Sequence, residues 1–242
     1  MLNYLKGEIY RLLHKKSMYL YFIILAMGYG LLAYIRSSGF GEDSVVSDAV
    51  SFFFYIPILA GGFLFSAIYT DDLSSKNLIT LVGFGLGKGT IVISKLILMT
   101  LFTAGIFALA PIWHMAVYSL LGCTAGGSQW LSVYLVSLKF ALMTIGFSAL
   151  CGIVVYGLQR TTFAFVSYVL LAFGIVGGLA ATAFNTFAPF LTGFLMSGIT
   201  DGIITAVMSR GSLFLPFAEY VVYIVFAAAL STLAFTKKEM EF

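Results

Sequence analysis

Residues 96–121 read LILMTLFTAGIFALAPIWHMAVYSLL, a run without a single Asp, Glu, Lys or Arg. The run is longer than the roughly 20 apolar residues that carry a helix across a bilayer. The surrounding chain has the same character, since 61% of its residues are hydrophobic and 10% are charged, against roughly 45–50% and 25% in soluble domains. We therefore expect an all-α integral membrane protein whose 242 residues form one transmembrane domain over 1–242.

Hydropathy predicts six spans, each bounded by polar or glycine-rich residues. They cover about 18–35, 51–70, 96–121, 131–157, 162–181 and 213–235. In the second span, Pro57 and the pair Gly61-Gly62 predict a kink and a close helix contact, because proline removes one backbone hydrogen bond and glycine lets backbones approach. Residues 182–212 are interrupted by polar residues, Gly and Pro, and we expect short re-entrant helices there that dip partway into the outer leaflet.

The first 16 residues predict an amphipathic helix lying in the membrane interface. Leu5, Ile9 and Leu12 recur at helical spacing, while polar residues such as Arg11 occupy the other side. An alternative is a basic flank that only orients the first span.

Most lysine and arginine residues fall on the side of the first residues, and only Arg36 and Arg210 fall in loops on the other side. The positive-inside rule then places both termini in the cytoplasm of a multi-pass plasma membrane protein, which we expect to be bacterial. The mild basic excess therefore concerns topology, and no nucleic-acid partner is predicted.

Motifs for catalysis or metal binding are not recognised. Residues 83–90 read GFGLGKGT, but a phosphate loop needs glycine at position 82 and Ser or Thr at 89, where Val82 and Gly89 stand. His114 is expected to be a polar residue at the outer interface, and Cys123 and Cys151 to be small packing residues. We predict no catalytic residues, no metal site and no cofactor bound by this chain.

Charged residues in or near the later spans are candidates for a substrate pathway. Lys139 lies within the fourth span, and it could pair with Glu219 or with Asp201. A charge at mid-depth costs on the order of 2.5–3.5 kcal/mol, so it needs a partner or a watery cavity. The alternative is that Lys139 and Glu219 only extend to the outer interface.

Three stretches in order resemble the permeases of ABC-2-type transporters: 5–13 (LKGEIYRLL) followed by Lys15-Lys16, 70–78 (TDDLSSKNL), and 87–96 (GKGTIVISKL). The proline-arginine pair often found before the third stretch in that family is replaced here by Gly87-Lys88-Gly89. Among ABC-2 permeases, the chain is similar to the small permeases of bacteriocin or lantibiotic immunity and of peptide export.

The resemblance implies a permease subunit that pairs with a second copy or a homologous permease and couples to a separate ABC ATP-binding subunit. ATP and Mg²⁺ would bind to that partner, and the cargo would be a hydrophobic or amphipathic molecule such as an antimicrobial peptide. A coupling helix in the cytoplasmic loop 71–94 would contact the ATPase, with the interfacial helix as a second contact and 182–212 as an external cap. The implied coupling residues are Asp71, Asp72, Leu73, Lys76, Asn77 and Leu78, with exposed charges supplied by Asp71, Asp72 and Lys76.

Two other classes fit the same sequence. An ion-coupled transporter or channel would use Lys139, Glu219 and Asp201 as a midplane site and would need no ATPase. A membrane scaffold or assembly factor would transport nothing.

Overall fold

The computed structural model describes residues 2–36, 44–74, 77–123 and 126–238. Every regular element in these ranges is helical, which confirms the all-α prediction. We number the helices in chain order. They are α1 (Leu2–Leu13), α2 (Lys16–Arg36), α3 (Val45–Leu73), α4 (Asn77–Gly83), α5 (Lys88–Leu120), α6 (Gly127–Leu158), α7 (Thr161–Ala172), α8 (Ile175–Phe187), α9 (Met196–Met208) and α10 (Phe214–Lys237).

Five of these helices, α2, α3, α5, α6 and α10, are long and apolar enough to cross a membrane. A sixth span exists only if α7 and α8 are taken together, and they are bent by 60° relative to each other. The span predicted over 162–181 is interrupted, because the chain breaks at Gly174, which has a positive φ of 74°. Glycine adopts that conformation without the steric cost that a side chain would add.

Helix α3 contains two wide, π-helical segments, Pro57–Gly61 and Ser66–Thr70. The Tyr168 hydroxyl of α7 donates a hydrogen bond to the carbonyl oxygen of Pro57 at 2.8 Å. A Cβ on Gly61 would collide with that hydroxyl and would lie 2.9 Å from Cγ2 of Thr144. The close helix contact predicted at Gly61 is therefore confirmed.

Helix α6 is the centre of the bundle and packs against α3, α5, α7, α9 and α10. Small residues allow these approaches, since a Cβ on Gly152 would lie only 2.8 Å from the Ser231 hydroxyl of α10. Gly146 likewise leaves room for Met196 of α9. Close packing through small residues is typical of helices in lipid, where burial of apolar surface does not drive association.

The segment 182–212 contains the end of α8, a 3₁₀ turn over Pro189–Phe194, and α9. Short helices were predicted there, and α9 is one. Met196 fills the space left by Gly146 and so fixes the start of α9 against the middle of α6. Helix α8, in contrast, has no buried residue.

The predicted loop 71–94 is largely helical. Helix α3 extends to Leu73, and α5 begins at Lys88 rather than at residue 96. The Lys88 ammonium group donates to the carbonyl oxygens of Phe235 at 2.9 Å and Lys238 at 3.2 Å. A cation there satisfies carbonyls at the C-terminal end of α10, so Lys88 joins the start of α5 to the end of the last helix.

Candidate functional site

Charged side chains from three helices meet where α1 crosses the end of α3 and the start of α5. They are Glu8 and Arg11 of α1, Asp72 of α3 and Lys95 of α5, and we call them the ion cluster. Lys95 and Asp72 are almost completely buried, with exposed fractions of 1% and 2%. Two carboxylates face two cations, so no net charge is buried.

Lys95 is the centre of the ion cluster. Its ammonium group donates to the Glu8 carboxylate at 2.6 Å and forms an ion pair with Asp72. The Arg11 guanidinium lies 2.8 Å from the Glu8 carboxylate and 3.6 Å from that of Asp72. Because each buried charge has an opposite charge beside it, their attraction offsets the desolvation penalty, which would be uncompensated for an unpaired ion.

The electrostatics of α1 reflect these contacts. Burial disfavours the charged form of Glu8, but Lys95 and Arg11 outweigh it and hold the pKa of Glu8 below its ordinary value. Burial also opposes the charge of Arg11, yet the hydrogen bond to Glu8 and the nearby aspartates raise the pKa of Arg11. Burial, with the charges of Glu8 and Asp72, raises the pKa of Tyr4, whose ring lies 5.8 Å from the Lys95 ammonium group. Glu8 and Arg11 are therefore held in their charged forms.

The expectation that Asp72 presents an exposed charge is wrong. Helix α3 continues through Asp72, and its helical turn directs this carboxylate inward towards Lys95. Asp71, one residue earlier, is more exposed and pairs with Lys15 at 2.5 Å between nitrogen and oxygen. This difference between the two aspartates could not be predicted, because both belong to one polar run.

The other residues assigned to coupling are divided between surface and interior. Asn77 is exposed at the start of α4, whereas Leu78 is buried and Leu73 packs against the core. Lys76 lies outside the described residues. Sequence reasoning missed Phe84, which follows α4 and has an exposed fraction of 83%. The sequence feature that could have indicated Phe84 is its position between Gly83 and Gly85 in the segment that joins two predicted spans.

The amphipathic helix predicted over 1–16 is confirmed as α1. Its apolar face is turned largely towards the protein, because Leu12 is fully buried and Leu5 and Ile9 pack against the core. Arg11, expected on the polar face, reaches the ion cluster instead of open solvent.

The candidate pathway charges do not come together as one site. Lys139 of α6 pairs with Asp201 of α9, with 2.5 Å between nitrogen and oxygen, and their side chains are 30% and 57% exposed. Glu219 is half-buried on α10, and no ion pair to it occurs among the described residues. Of the two partners considered for Lys139, the structure therefore selects Asp201.

A second polar cluster lies at the opposite ends of α3 and α5. His114 is fully buried within the protein. Its ring bonds to the Tyr29 hydroxyl and to the carbonyl oxygen of Val45 at 3.1 Å. Nearby, the Tyr118 hydroxyl donates to Asp48 at 2.8 Å, and Arg36 pairs with the same carboxylate at 3.1 Å. These contacts join α2, α3 and α5 at this end.

Both cysteines are free thiols, with Cys151 buried and Cys123 half-buried. Within the described ranges, no group of three or more His, Cys, Asp and Glu side chains is placed to hold a metal ion.

No family model matches the chain, and neither the curated proteins nor the solved structures give a significant match. A function therefore has to be argued from the residues and contacts described above.

Proposed function

We propose that this chain is the permease subunit of an ATP-binding-cassette exporter that moves a hydrophobic or amphipathic substrate with the help of a separate ATPase. The observation that supports this best is the position of α4. This short helix and the residue after it carry three exposed side chains, Asn77, Thr80 and Phe84, and α4 packs against the end of α3 that carries Asp72 of the ion cluster. The order of the three stretches that resemble ABC-2 permeases supports the same proposal.

The docking surface consists of Asn77, Thr80 and Phe84. Aromatic side chains such as Phe84 are enriched in protein interfaces. The buried face of α4 carries Leu78, which belongs to the hydrophobic core, and α4 contacts the end of α3. A partner that displaced α4 would therefore also displace the residues packed against Leu78.

The ion cluster would transmit a movement of α4 to the other helices of the bundle. Lys95 joins α5 to α1 through Glu8 and to α3 through Asp72. Breaking one of these contacts would leave a buried charge unpaired, which is costly, so the three helix ends move together. ATP binding and hydrolysis in the partner would then change the relative position of α1, α3 and α5.

This proposal places both termini, α4 and the ion cluster in the cytoplasm. It also makes the transporter a pair of permeases, either two copies of this chain or this chain with a homologous one, as in ABC-2 permeases.

The proposal is tested by affinity purification of the tagged chain from its native membranes after mild crosslinking, followed by detection of co-purified ATPase activity. Phe84→Glu and Asn77→Arg are expected to abolish ATPase recovery without changing the amount of inserted protein. Leu120→Glu is the matched control, because Leu120 is 88% exposed at the other end of α5. Asp72→Arg is unsuitable since it would disrupt the ion cluster. Full ATPase recovery with both test variants would contradict the assignment of α4 as the coupling element.

Orientation is tested separately with a single cysteine at position 77 in a chain whose Cys123 and Cys151 are replaced by alanine. A membrane-impermeant maleimide is expected to label this cysteine only in inverted vesicles. Labelling from outside intact cells would contradict both the orientation and the coupling to a cytosolic ATPase.

A further inference from the structure

An apolar cleft of about 870 Å³ lies between α2 on one side and α3 and α5 on the other. Its walls are formed by aliphatic and aromatic side chains, among them Phe22, Leu25, Phe52, Ile56, Phe102 and Ile106. At one end it is bordered by Ile9 and Leu13 of α1. The volume is within the roughly 300–1,000 Å³ typical of small-molecule sites.

The cleft exists because α2 is held away from the bundle. Only Met18 and Ala33 of this helix are buried. Hydrogen bonds connect it across the gap from the Tyr21 hydroxyl to Leu59 O at 3.0 Å and from the Trp113 indole to Ala26 O at 3.2 Å. Nearer its C-terminal end, Tyr29 bonds to His114 and Arg36 pairs with Asp48. The helix is therefore fixed at separate points with a space between them.

Two glycines face the cleft from opposite walls, Gly28 of α2 and Gly105 of α5. A Cβ added to either would meet no atom within 4 Å. The missing side chains widen the cleft, and no neighbouring protein group takes up the space.

The lining determines what can occupy the space. Water needs several polar partners in a cavity, and the polar atoms of Tyr29 and Trp113 are already bonded to His114 and Ala26. Leaving the cleft empty would forfeit the dispersion contacts of every lining side chain. A hydrocarbon chain from the surrounding lipid would make dispersion contacts with these apolar side chains.

Two lysines are close in sequence to the α1 residues that line this end of the cleft, and they would favour an anionic ligand. Lys6 lies one helical turn before Ile9, and Lys16 follows Leu13, so both flank the residues that border the opening. Both lysines are exposed, and neither forms an ion pair with a described residue, whereas Arg11 and Lys15 already have carboxylate partners. Basic residues next to a membrane helix attract anionic headgroups.

We propose that the cleft is a binding site for one anionic phospholipid, with an acyl chain between α2 and α5 and the phosphate headgroup at Lys6 and Lys16. The site does not depend on the transport function proposed above. The bound chain fills the space that keeps α2 apart from α3 and α5.

The experiment uses the full chain in vesicles that contain a phospholipid with a photoreactive diazirine in its acyl chain, carried on either phosphatidylglycerol or phosphatidylcholine. Labelled peptides are then mapped by mass spectrometry. Phosphatidylglycerol is expected to label peptides that line the cleft more strongly than phosphatidylcholine does. Gly28→Phe and Gly105→Phe, which place a ring in the cleft from opposite walls, are expected to lower this labelling several-fold.

Gly30→Phe is the matched control. Gly30 lies on the same helix, its Cβ would also meet nothing within 4 Å, and it does not line the cleft. Labelling of this variant should equal that of the unmodified chain, and Lys6→Gln with Lys16→Gln should abolish the preference for phosphatidylglycerol. Size-exclusion elution and helical circular dichroism establish which variants are folded, and the two glycine positions provide independent tests.

Three results would overturn the proposal. The first is equal cleft labelling in the unmodified chain and in folded Gly28→Phe and Gly105→Phe. The second is equal labelling by the two lipids. The third is capture of a second copy or another polypeptide by a photoreactive residue placed at Leu109, which would give the cleft a protein occupant.

Discussion

Lys95 and Asp72 form an ion pair between α5 and α3 in which neither side chain is more than 2% exposed. Glu8 of α1 contacts the same ammonium group at 2.6 Å. One lysine thus determines how three helix ends meet. Buried pairs of this kind contribute to specificity of packing only as long as both partners are present.

Replacing this lysine by an apolar residue should be strongly destabilising. In Lys95→Met, Asp72 and Glu8 lose their shared cation, and breaking a buried pair costs about 3–5 kcal/mol. We expect a clear decrease in the midpoint of thermal unfolding in detergent. Lys6→Met is the control, since Lys6 is exposed, and it should leave the midpoint unchanged. Combining Lys95→Met with Asp72→Leu should recover part of the loss. An unchanged midpoint in Lys95→Met would mean that the ion cluster does not hold these helices.

Attachment of α1 should depend on pH through Glu8. Its pKa in the docked helix is lower than the ordinary value of 4.5, so the charged form favours docking. The contribution is complete above pH 4.5 and is lost as the pH falls through the lowered pKa. Hydrogen exchange of α1 backbone amides in nanodiscs should therefore accelerate, relative to its intrinsic rate, when the sample is acidified below that value. In Glu8→Gln, this added acceleration should be absent, and an identical acid response in both proteins would contradict the assignment to Glu8.

The two adjacent glycines of α3 should differ in their tolerance of a methyl group. A Cβ at Gly61 collides with the Tyr168 hydroxyl, whereas one at Gly62 lies 3.8 Å from the nearest ring carbon of Tyr168. We expect Gly61→Ala to lower stability by about 1–3 kcal/mol, the usual cost of overpacking, and Gly62→Ala to have little effect. Thermal unfolding of both variants in the same detergent makes the comparison. Removal of the hydroxyl in Tyr168→Phe should partly rescue Gly61→Ala, and equal midpoints for the two alanine variants would refute the close contact.

Double-mutant cycles should show energetic coupling of Lys139 to Asp201 but not to Glu219. Partly exposed ion pairs are worth about 0–1 kcal/mol, so Lys139→Ala and Asp201→Ala should each have a small effect and should not be additive. Glu219→Ala combined with Lys139→Ala should be additive, because no contact joins them among the described residues. Chemical denaturation in mixed micelles measures the coupling. Additivity for Lys139 and Asp201 would mean that their contact adds no stability.

Local sequence patterns predicted several features correctly. The charge-free run 96–121 coincides with α5 up to Leu120, the apolar spacing of Leu5, Ile9 and Leu12 predicted α1, and Gly61 predicted a close helix contact, which the structure shows with Tyr168. Each is a property of a short segment or of one small residue. Errors arose where a distant segment changes the environment of a residue. Asp72 was expected to be exposed because the sequence does not show that Lys95 would lie against it.

The break at Gly174 and the boundary of α5 illustrate a second limit. Residues 162–181 are apolar throughout, so hydropathy predicts a span whether or not the helix is continuous. Residues 88–94 were expected in a loop, but they form the start of α5, where Lys88 bonds to carbonyls of α10 and the following Lys95 bonds to Glu8. Neither contact can be inferred from the neighbouring sequence.

By itself, the sequence determined that this chain forms long apolar helices, because an uncharged run of sufficient length satisfies its own backbone hydrogen bonds and favours lipid over water. Only the tertiary structure decided which charges are buried, which partner Lys139 has, and where a cleft remains beside α2. These outcomes depend on the distance between side chains that are remote in the chain, and electrostatic and packing energies depend on that distance.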